Sequence, residues 1–270
     1  STDFPVCNTC PGFYQGANAG IQDMFILKFD NIGNRLWATY YGGGGIDIAS
    51  AIATDNSGNI FITGYTTSTN LFLQNPFQGA NAGGYDAFIL KFDNSGNLLW
   101  ATYYGDIGND FGYSIANDAS GNVFVTGMTT SANFPLQNAG TFFQLLNAGG
   151  YDAFILKFDN NGNRFWATYY GGTGNDYWSA PTYDNIAIDN CGNVYMSLET
   201  ASTNFPVQNS CDAQYFDNSY NGNSSDIAIV MFDNSGNRLW SSYLGGDGHD
   251  FRSPLAVDNN NNLFIAGEWN

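Results

Sequence analysis

Apolar and polar residues alternate along this chain in short runs rich in Val, Ile, Phe, Tyr and Thr, and Gly, Asn and Asp bound each run. Such alternation is typical of strands, and the boundary residues are typical of tight turns. One series of four predicted strands covers Ser114 to Asp118, Val123 to Thr129, Asp152 to Asp159 and Arg164 to Tyr170. We name these strands A, B, C and D. We predict that the A–B and C–D hairpins form one four-stranded sheet and that the chain has no long helix.

The same series recurs along the whole chain. The phrase Phe-Asp-Asn-x-Gly-Asn begins at Phe29, Phe92, Phe158 and Phe232, and a Trp on strand D follows each copy. A unit that recurs at similar intervals indicates a repeat architecture, in which each unit buries its faces against its neighbours. We therefore predict one domain over residues 1–270, with repeats at about 1–67, 68–130, 131–201 and 202–270.

The two ends of the sequence divide one unit. Strands A and B at Leu255 to Trp269 lack a C and D, whereas strands C and D at Asp23 to Tyr41 lack an A and B. Unpaired strand edges can be satisfied within one molecule or between molecules. We expect the first, because two ends of one chain have a high effective concentration. The predicted fold class is all-β: a β-propeller of four four-stranded blades, whose last blade is closed by the N-terminal C and D strands pairing with the C-terminal A and B strands.

Charge and cysteine content narrow the function classes. With 24 acidic and 7 basic residues, the chain has a formal charge of -17, which repels phosphate backbones and anionic membranes. We expect no nucleic acid partner. No apolar run approaches the roughly 20 residues needed to cross a bilayer, so we also expect no membrane insertion. Four cysteines are compatible with an oxidising compartment, which favours an extracellular or cell-surface location.

The repeat resembles a known family. The residues that carry the resemblance are Ser-Ile-Ala-x-Asp-x-Ser-Gly-Asn-Val-Phe-Val-Thr-Gly from Ser114, Asp-Ala-Phe-Ile-Leu-Lys-Phe-Asp from Asp152 and Leu-Trp-Ala-Thr-Tyr-Tyr-Gly-Gly from Leu36. They are similar to the bacterial SBBP β-propeller repeat, and the A–B half is similar to NHL repeats. The resemblance implies bacterial secreted or surface-anchored proteins in which the propeller is a structural or interaction module. It does not imply an activity, because propellers carry unrelated functions.

Aspartates recur at fixed positions of the repeat. Two sets occupy the hairpin turns, where Asp caps the turn, and a third opens strand C. The fourth set precedes strand A in Gly-rich segments and is the candidate cation site, a ring of four carboxylates at the channel mouth: Asp47, Asp110, Asp176 and Asp250. Like charges that meet need hydrogen bonds, protons or a cation, so calcium is the candidate cofactor. The alternative is that each Asp accepts hydrogen bonds from the amides of its own turn.

Other candidate residues lie outside the repeat pattern. Trp178 and Trp269 are not part of the strand D series and are candidate ligand-binding aromatics. The four disulfide candidates are Cys7, Cys10, Cys191 and Cys211, and their pairing stays open. The single histidine, His249, is next to Asp250 and close to Ser253. Neighbours in one turn seldom form a catalytic triad, whose members converge from separate elements, so we expect no enzyme activity.

These observations favour a non-enzymatic extracellular structural or adhesion module that is part of a larger surface assembly or homopolymer. Its expected partners are proteins or further copies of itself. The alternative is a glycan-binding, lectin-like propeller, in which repeated loops with aromatic and Asn residues bind sugar rings.

Overall fold

The computed structural model describes Phe4, Val6 and residues 14–137, 143–177, 185–210, 214–251 and 253–269. All regular secondary structure in these residues is β-strand, and every ladder between strands is antiparallel. The prediction of an all-β chain built from repeated hairpins is therefore confirmed. Aromatic and β-branched runs form these strands because such side chains pack well on a pleated surface.

The strands follow the chain in blades. The first pair, β1 (Met24–Phe29) and β2 (Arg35–Tyr41), forms a two-stranded sheet that we call the open C–D hairpin. The first blade contains β3 (Asp47–Thr54), β4 (Ile60–Thr66), β5 (Asp86–Phe92) and β6 (Leu98–Tyr104) in that order. The second blade contains β7 (Asp110–Asn117), β8 (Val123–Thr129), β9 (Asp152–Phe158) and β10 (Arg164–Tyr170). Both match the predicted A-B-C-D order.

The third blade has a divided strand A. Its two pieces, β11 (Asp176–Tyr177) and β12 (Ile186–Ile188), both pair with β13 (Val194–Thr200), which is followed by β14 (Asp226–Phe232) and β15 (Arg238–Leu244). The last strands are β16 (Asp250–Phe251), β17 (Leu255–Val257), β18 (Leu263–Ile265) and β19 (Glu268–Trp269). In these, β16 pairs with β19 and β17 with β18, so a divided A strand faces a divided B strand. We call this unit the open A–B hairpin.

All eight hairpin turns share one design. In the turn after β7, Asp118 Oδ1 accepts hydrogen bonds from the amides of Ser120 and Asn122, both at 2.9 Å, and Asp118 Oδ2 accepts one from the Asn122 side chain at 2.7 Å. Gly121 has a φ of 76°, which favours glycine. The predicted capping role is confirmed for every turn Asp: Asp30, Asp55, Asp93, Asp118, Asp159, Asp189, Asp233 and Asp258.

Each blade is fastened to the next by the same contacts. Trp100 of the first blade donates its indole N–H to the Asn160 carbonyl in the C–D turn of the second blade, at 3.2 Å. Lys91 donates to the same carbonyl at 3.1 Å. Trp37 and Trp166 make the equivalent bonds to the following turns. Trp37, Trp100 and Trp166 are thus buried core residues, as predicted, whereas the fourth member of the series, Trp240, is only half-buried.

The predicted closure of the fourth blade is not formed in this structure. Among the described residues, β1 forms a ladder only with β2, and β18 forms a ladder only with β17. The open C–D hairpin packs on the first blade through Met24, Ile26 and Trp37, whereas β17 lies beside strands β12 and β13 of the third blade. Each half therefore packs on the complete blade next to it in the chain, and closure of the ring stays a prediction.

Candidate functional site

Two carboxylates meet at each junction between strand D of one blade and strand A of the next. At the junction between the first and second blades they belong to Asp86, which opens β5, and Asp110, which opens β7. Gly105 lies between them: a Cβ at this glycine would be 2.6 Å from Asp110 Oδ2 and 2.9 Å from Asp86 Cγ. Only glycine fits, because any side chain here would collide with both carboxylates. The equivalent groups are Asp23, Gly42 and Asp47; Asp152, Gly171 and Asp176; and Asp226, Gly245 and Asp250.

The carboxylate of strand A is held by its own blade. Asp110 Oδ1 accepts a hydrogen bond from the Thr129 hydroxyl at the end of β8, and Oδ2 accepts bonds at 2.8 Å from the Ser131 hydroxyl and the Asp106 amide. Asp47 and Asp176 have the same three kinds of partner. At Asp250, Oδ2 accepts the Gly246 amide at 2.8 Å, but Oδ1 is buried without a hydrogen bond among the described residues.

The carboxylate of strand C is only half satisfied. Asp86 Oδ2 accepts hydrogen bonds from the Gln78 side-chain amide at 2.9 Å and from the Ala82 amide at 3.0 Å. The same glutamine accepts a bond from the Gly105 amide, which ties the junction together. Oδ1 of Asp86 is buried and has no hydrogen-bond partner in the described part of the chain, and the same holds for Oδ1 of Asp23, Asp152 and Asp226.

Burial governs the ionisation of these pairs. Desolvation raises the pKa of Asp86 to about 6 and the pKa of Asp110 and Asp152 to about 7. The paired carboxylate adds to the rise at Asp110 and at Asp152, whereas at Asp86 the added charge is that of Asp106. Desolvation also raises the pKa of Asp47 and Asp176. These carboxyl groups thus hold protons more readily than exposed aspartates do.

The four carboxylates predicted as a cation ring lie at four separate junctions. Asp47, Asp110 and Asp176 are each drawn toward the Thr and Ser at the end of their own strand B, and each faces one Asp of the preceding strand C. Among the described residues, no group of three or more His, Cys, Asp or Glu side chains is arranged to hold a metal ion. The bonds to local amides match the alternative that we drew from the sequence, and calcium binding stays an untested prediction.

The opposite end of the blades forms a polar cleft of about 450 Å³. The A–B turns of the three complete blades surround it, with Asp55, Asp118 and Asp189 in the lining. Asn190 links this group to the open A–B hairpin, because its amide donates to Asn261 Oδ1 at 2.9 Å. The carboxylates of these three aspartates already accept the hydrogen bonds that cap their own turns.

The remaining candidates separate into described and undescribed residues. Trp178, Cys7, Cys10 and Cys211 lie outside the described residues. Trp269 pairs with Asp250 in the β16–β19 ladder. Cys191 is exposed and forms no disulfide within the described residues, which do not include the other three cysteines, and its sulfur accepts a bond from the Asn261 side chain at 3.5 Å. His249 Nδ1 lies 2.7 Å from the hydroxyl groups of both Ser224 and Ser225, and Asp250 faces its junction instead of the imidazole.

The structure has two apolar clefts that we did not predict from the sequence, one beside the open C–D hairpin and one on the third blade. One, of about 300 Å³, lies between Phe25, Ile26 and Leu27 of β1 and the face of β3. The other, of about 420 Å³, lies on the third blade and is lined by Met231, Leu239 and Trp240 among others. Alternation along each strand showed which residues are apolar, but it could not show which faces lack a neighbour.

Comparison with known proteins agrees with this architecture. Residues 36–72 and 99–135 match the family model of SBBP, a beta-propeller repeat. Each matched stretch begins on strand D of one unit and continues through strands A and B of the next, and the match confirms the resemblance drawn from the sequence. The chain is also 30% identical over 146 residues to an uncharacterized WD repeat-containing protein of Acanthamoeba polyphaga mimivirus; that match covers 52% of this chain and 10% of the viral protein. In the described residues no helix is long and apolar enough to span a membrane.

Proposed function

Because this chain carries repeats of the SBBP β-propeller family, we propose that it is a non-enzymatic, extracellular structural or adhesion module that acts within a larger assembly. The observation that carries the proposal is the pair of open hairpins. Their strands have the sequence of a blade but leave large aromatic side chains in solvent: Phe25 is 55% exposed, Phe29 is 54% exposed and Phe264 is 58% exposed.

The same repeat positions are fully buried in the complete blades. Phe88 and Phe154 correspond to Phe25 and are 1% and 0% exposed, and Phe61 and Phe124 correspond to Phe264 and are both 0% exposed. Unsatisfied strand edges with exposed apolar side chains are typical of surfaces that take up another strand. The open hairpins therefore favour assembly as the role of the protein.

Completion of the divided blade has two geometries. If the open hairpins of one molecule pair, they close the four-bladed ring that we expected from the sequence. If they pair between molecules, they produce a head-to-tail ring or filament. Both give one complete blade, and they differ in the mass of the product.

Molar mass measured by light scattering over a range of protein concentrations tests this function. We expect species heavier than a single chain, together with rings, tubes or fibres in negative-stain images of the same fractions. A species with the mass of one chain at every concentration would count against an assembly role. Fractionation of the producing cells tests the extracellular location, and protein confined to the cytoplasm would contradict it.

Glycan binding is the second candidate function. Two aromatic side chains of the long B-to-C connections support it, because Phe72 is 56% exposed and Tyr215 is 49% exposed. Exposed aromatic rings stack on sugars, and repeated loops would add multivalency. The Asn-Phe-Pro stretches are less suited to the role than their sequence indicated, since Phe134 and Phe205 are buried. A glycan array without binding would remove this candidate.

A further inference from the structure

The open hairpins match each other residue by residue. We propose that the open C–D hairpin of one copy and the open A–B hairpin of a second copy form one blade across two molecules. In this blade β1 is antiparallel to residues 263–269, with Phe29 opposite Leu263 and Phe25 opposite Gly267. This inference rests on the proposed assembly function. It specifies the strands that would be in contact and the partner, a second copy of the chain.

The register follows from the three complete blades. Strand B begins opposite the last Phe of strand C in each of them: Ile60 opposite Phe92, Val123 opposite Phe158 and Val194 opposite Phe232. Leu263 has the position of these first residues, because it follows its turn aspartate Asp258 at the same spacing. Phe29 is the corresponding last residue of β1. A shift by one residue would move every side chain to the other face, so this register alone continues the pattern.

Side-chain size supports the pairing. In the first and second blades a glycine on strand B faces a phenylalanine on strand C, as Gly64 faces Phe88 and Gly127 faces Phe154. The contact is close: a Cβ at Gly127 would be 2.5 Å from the Phe154 ring. The third blade has the reverse order, with Leu198 opposite Ala228. One large and one small side chain thus share the space, and Phe25 with Gly267 satisfies the same rule.

A second pair of opposite residues, a lysine on strand C and an aromatic residue on strand B, also recurs in the open hairpins. Lys91 lies over the ring of Phe61 at 5.0 Å, and Lys157 lies over the ring of Phe124 at 5.1 Å. The third blade replaces this pair with Met231 opposite Tyr195. The open hairpins supply Lys28 and Phe264 at these positions. Lys28 already donates to the Asn94 carbonyl at 2.9 Å, as Lys91 does to the Asn160 carbonyl, so its side chain is held in the orientation that the pairing requires.

The third blade has the surface on which the C–D hairpin of the second copy would pack. The indole N–H of Trp240 is buried and has no hydrogen-bond partner among the described residues. Its equivalents Trp37, Trp100 and Trp166 donate to the second residue of the next C–D turn. In the open C–D hairpin that residue is Asn31. The apolar cleft beside Met231, Leu239 and Trp240 is the surface on which β1 and β2 would pack.

A second copy fits because, among the described residues, the two open hairpins form no ladder with each other and pack on different blades. No described A–B hairpin fills the cleft between β1 and β3, and no described C–D hairpin fills the cleft on the third blade; we call these two clefts the open seats. A second molecule that presents the complementary hairpin fills one seat and offers its own open seat to a third molecule. Such a head-to-tail contact leads to a closed ring or a filament.

A charge swap across the ladder tests the partner. Phe29→Lys places a charge opposite Leu263 in one protein, and Leu263→Glu places a charge opposite Phe29 in another. Each variant alone should lose at least tenfold in assembly affinity, because the ladder would bury an unpaired charge. Mixed together, the two variants should recover most of the assembly, since every contact is then either an ion pair or the original Phe–Leu pair. Ile107→Lys, at a residue 76% exposed and away from both hairpins, is the matched control and should assemble like the original protein.

Light scattering of these three variants, of the mixture and of a fourth protein with both hairpin changes in one chain, with thermal melts to show that each is folded, gives the answer. Recovery in the mixture supports the second copy. Two results together would overturn the inference: the mixture fails to assemble, and the protein with both changes in one chain is folded and has the mass of a single chain. They would show that the blade closes within one molecule. Assembly that neither single variant weakens would overturn the register and leave the assembly function standing. Failure of the unmodified protein to assemble would instead remove the proposed function.

Discussion

The second blade and the open C–D hairpin have almost the same strand C, Asp-Ala-Phe-Ile-Leu-Lys-Phe at residues 152–158 and Asp-Met-Phe-Ile-Leu-Lys-Phe at residues 23–29. The two strands nevertheless bury different amounts of surface: Phe154 and Phe158 are inaccessible to solvent, whereas Phe25 and Phe29 are more than half exposed. The difference arises from strand B, because β8 covers one edge of β9 and no described strand covers the same edge of β1. A strand's own sequence thus determines its conformation, and the adjacent strand determines what it buries.

Removal of the equivalent phenylalanine from each region should produce the largest contrast. Phe154→Ala leaves a cavity against Gly127 and Phe134, whose ring lies 4.6 Å from that of Phe154, and should lower the free energy of unfolding by about 3–5 kcal/mol. Phe25→Ala removes a ring that is 55% exposed but stacks on Phe4 at 4.5 Å, and should cost about 1 kcal/mol in the dilute, single-molecule state. Urea unfolding of both variants measures the two values. Equal losses would mean that β1 is covered in solution.

The junction carboxylates should give the next largest contrast. Asp110→Ala removes the acceptor of the Thr129 and Ser131 hydroxyls at the end of strand B and of the Asp106 amide in the β6–β7 connection, and should cost about 2–4 kcal/mol. Asp250→Ala, at the equivalent position of the open A–B hairpin, removes the acceptor of the Gly246 amide and should cost about 1 kcal/mol. Denaturant titration of the two variants compares them. A larger loss at Asp250 would contradict the view that the complete blade holds its carboxylate more firmly.

Local features of the fold were predictable from the sequence. The Asp-x-x-Gly-Asn turns form as expected because every bond of the turn joins residues within the same five positions, as at Asp118. Strands B, C and D of the complete blades also match their predicted positions, since alternation and β-branched content decide them. The resemblance to SBBP repeats extended this interpretation to the order of the strands.

Features that depend on distant residues were harder to predict. The position of Asp47 and its equivalents before strand A predicts a ring of four carboxylates, which stays a prediction. The hydrogen bonds that Asp47 accepts from the hydroxyl groups of Thr66 and Ser68, which lie 19 and 21 residues further along the chain, were not predicted from the sequence. The sequence predicts that the Asp at the start of strand C accepts hydrogen bonds from backbone amides, as Asp86 does from Ala82, but it does not predict the approach of this Asp to the Asp of the next strand A. Repetition within the sequence carried a signal for the pair, because both aspartates and the glycine between them recur together.

Acidity should shift the stability of the complete junctions in a defined direction. Because the folded-state pKa of Asp86 is about 6 and that of Asp110 and Asp152 is about 7, the folded chain keeps protons that an unfolded aspartate releases near pH 4. The associated stability is present at low pH and is lost as pH rises through 6 and 7. We expect a melting temperature several degrees higher at pH 5 than at pH 8, measured by calorimetry. Asp110→Asn should flatten this slope, and a melting temperature that rises from pH 5 to pH 8 would contradict the assignment.

The turn carboxylates oppose this trend at the acidic end. Hydrogen bonds from Asn34 lower the pKa of Asp30, and those from Asn97, Ser95 and Gly96 outweigh desolvation to lower the pKa of Asp93. Their contribution to stability is present above about pH 4 and is lost as pH falls further through the lowered folded-state values. Stability should therefore be greatest between about pH 4 and 6, where the turns are ionised and the junctions still hold protons.

The smallest contrast should come from the C–D turns themselves. Asp30 of the open C–D hairpin accepts bonds from the Ile32 and Asn34 amides at 3.0 and 2.8 Å, and Asp93 of the first blade accepts bonds from the Ser95 and Asn97 amides, both at 2.8 Å. Replacement of either Asp by Ala should lower the urea midpoint of unfolding by a small and nearly equal amount, because all partners lie within the turn. Urea unfolding of the two variants makes the comparison. A much larger loss at Asp93 would show that the bonds from Lys28 and Trp37 to the Asn94 carbonyl also hold the turn aspartate in place. The turns would then not be formed by local bonds alone.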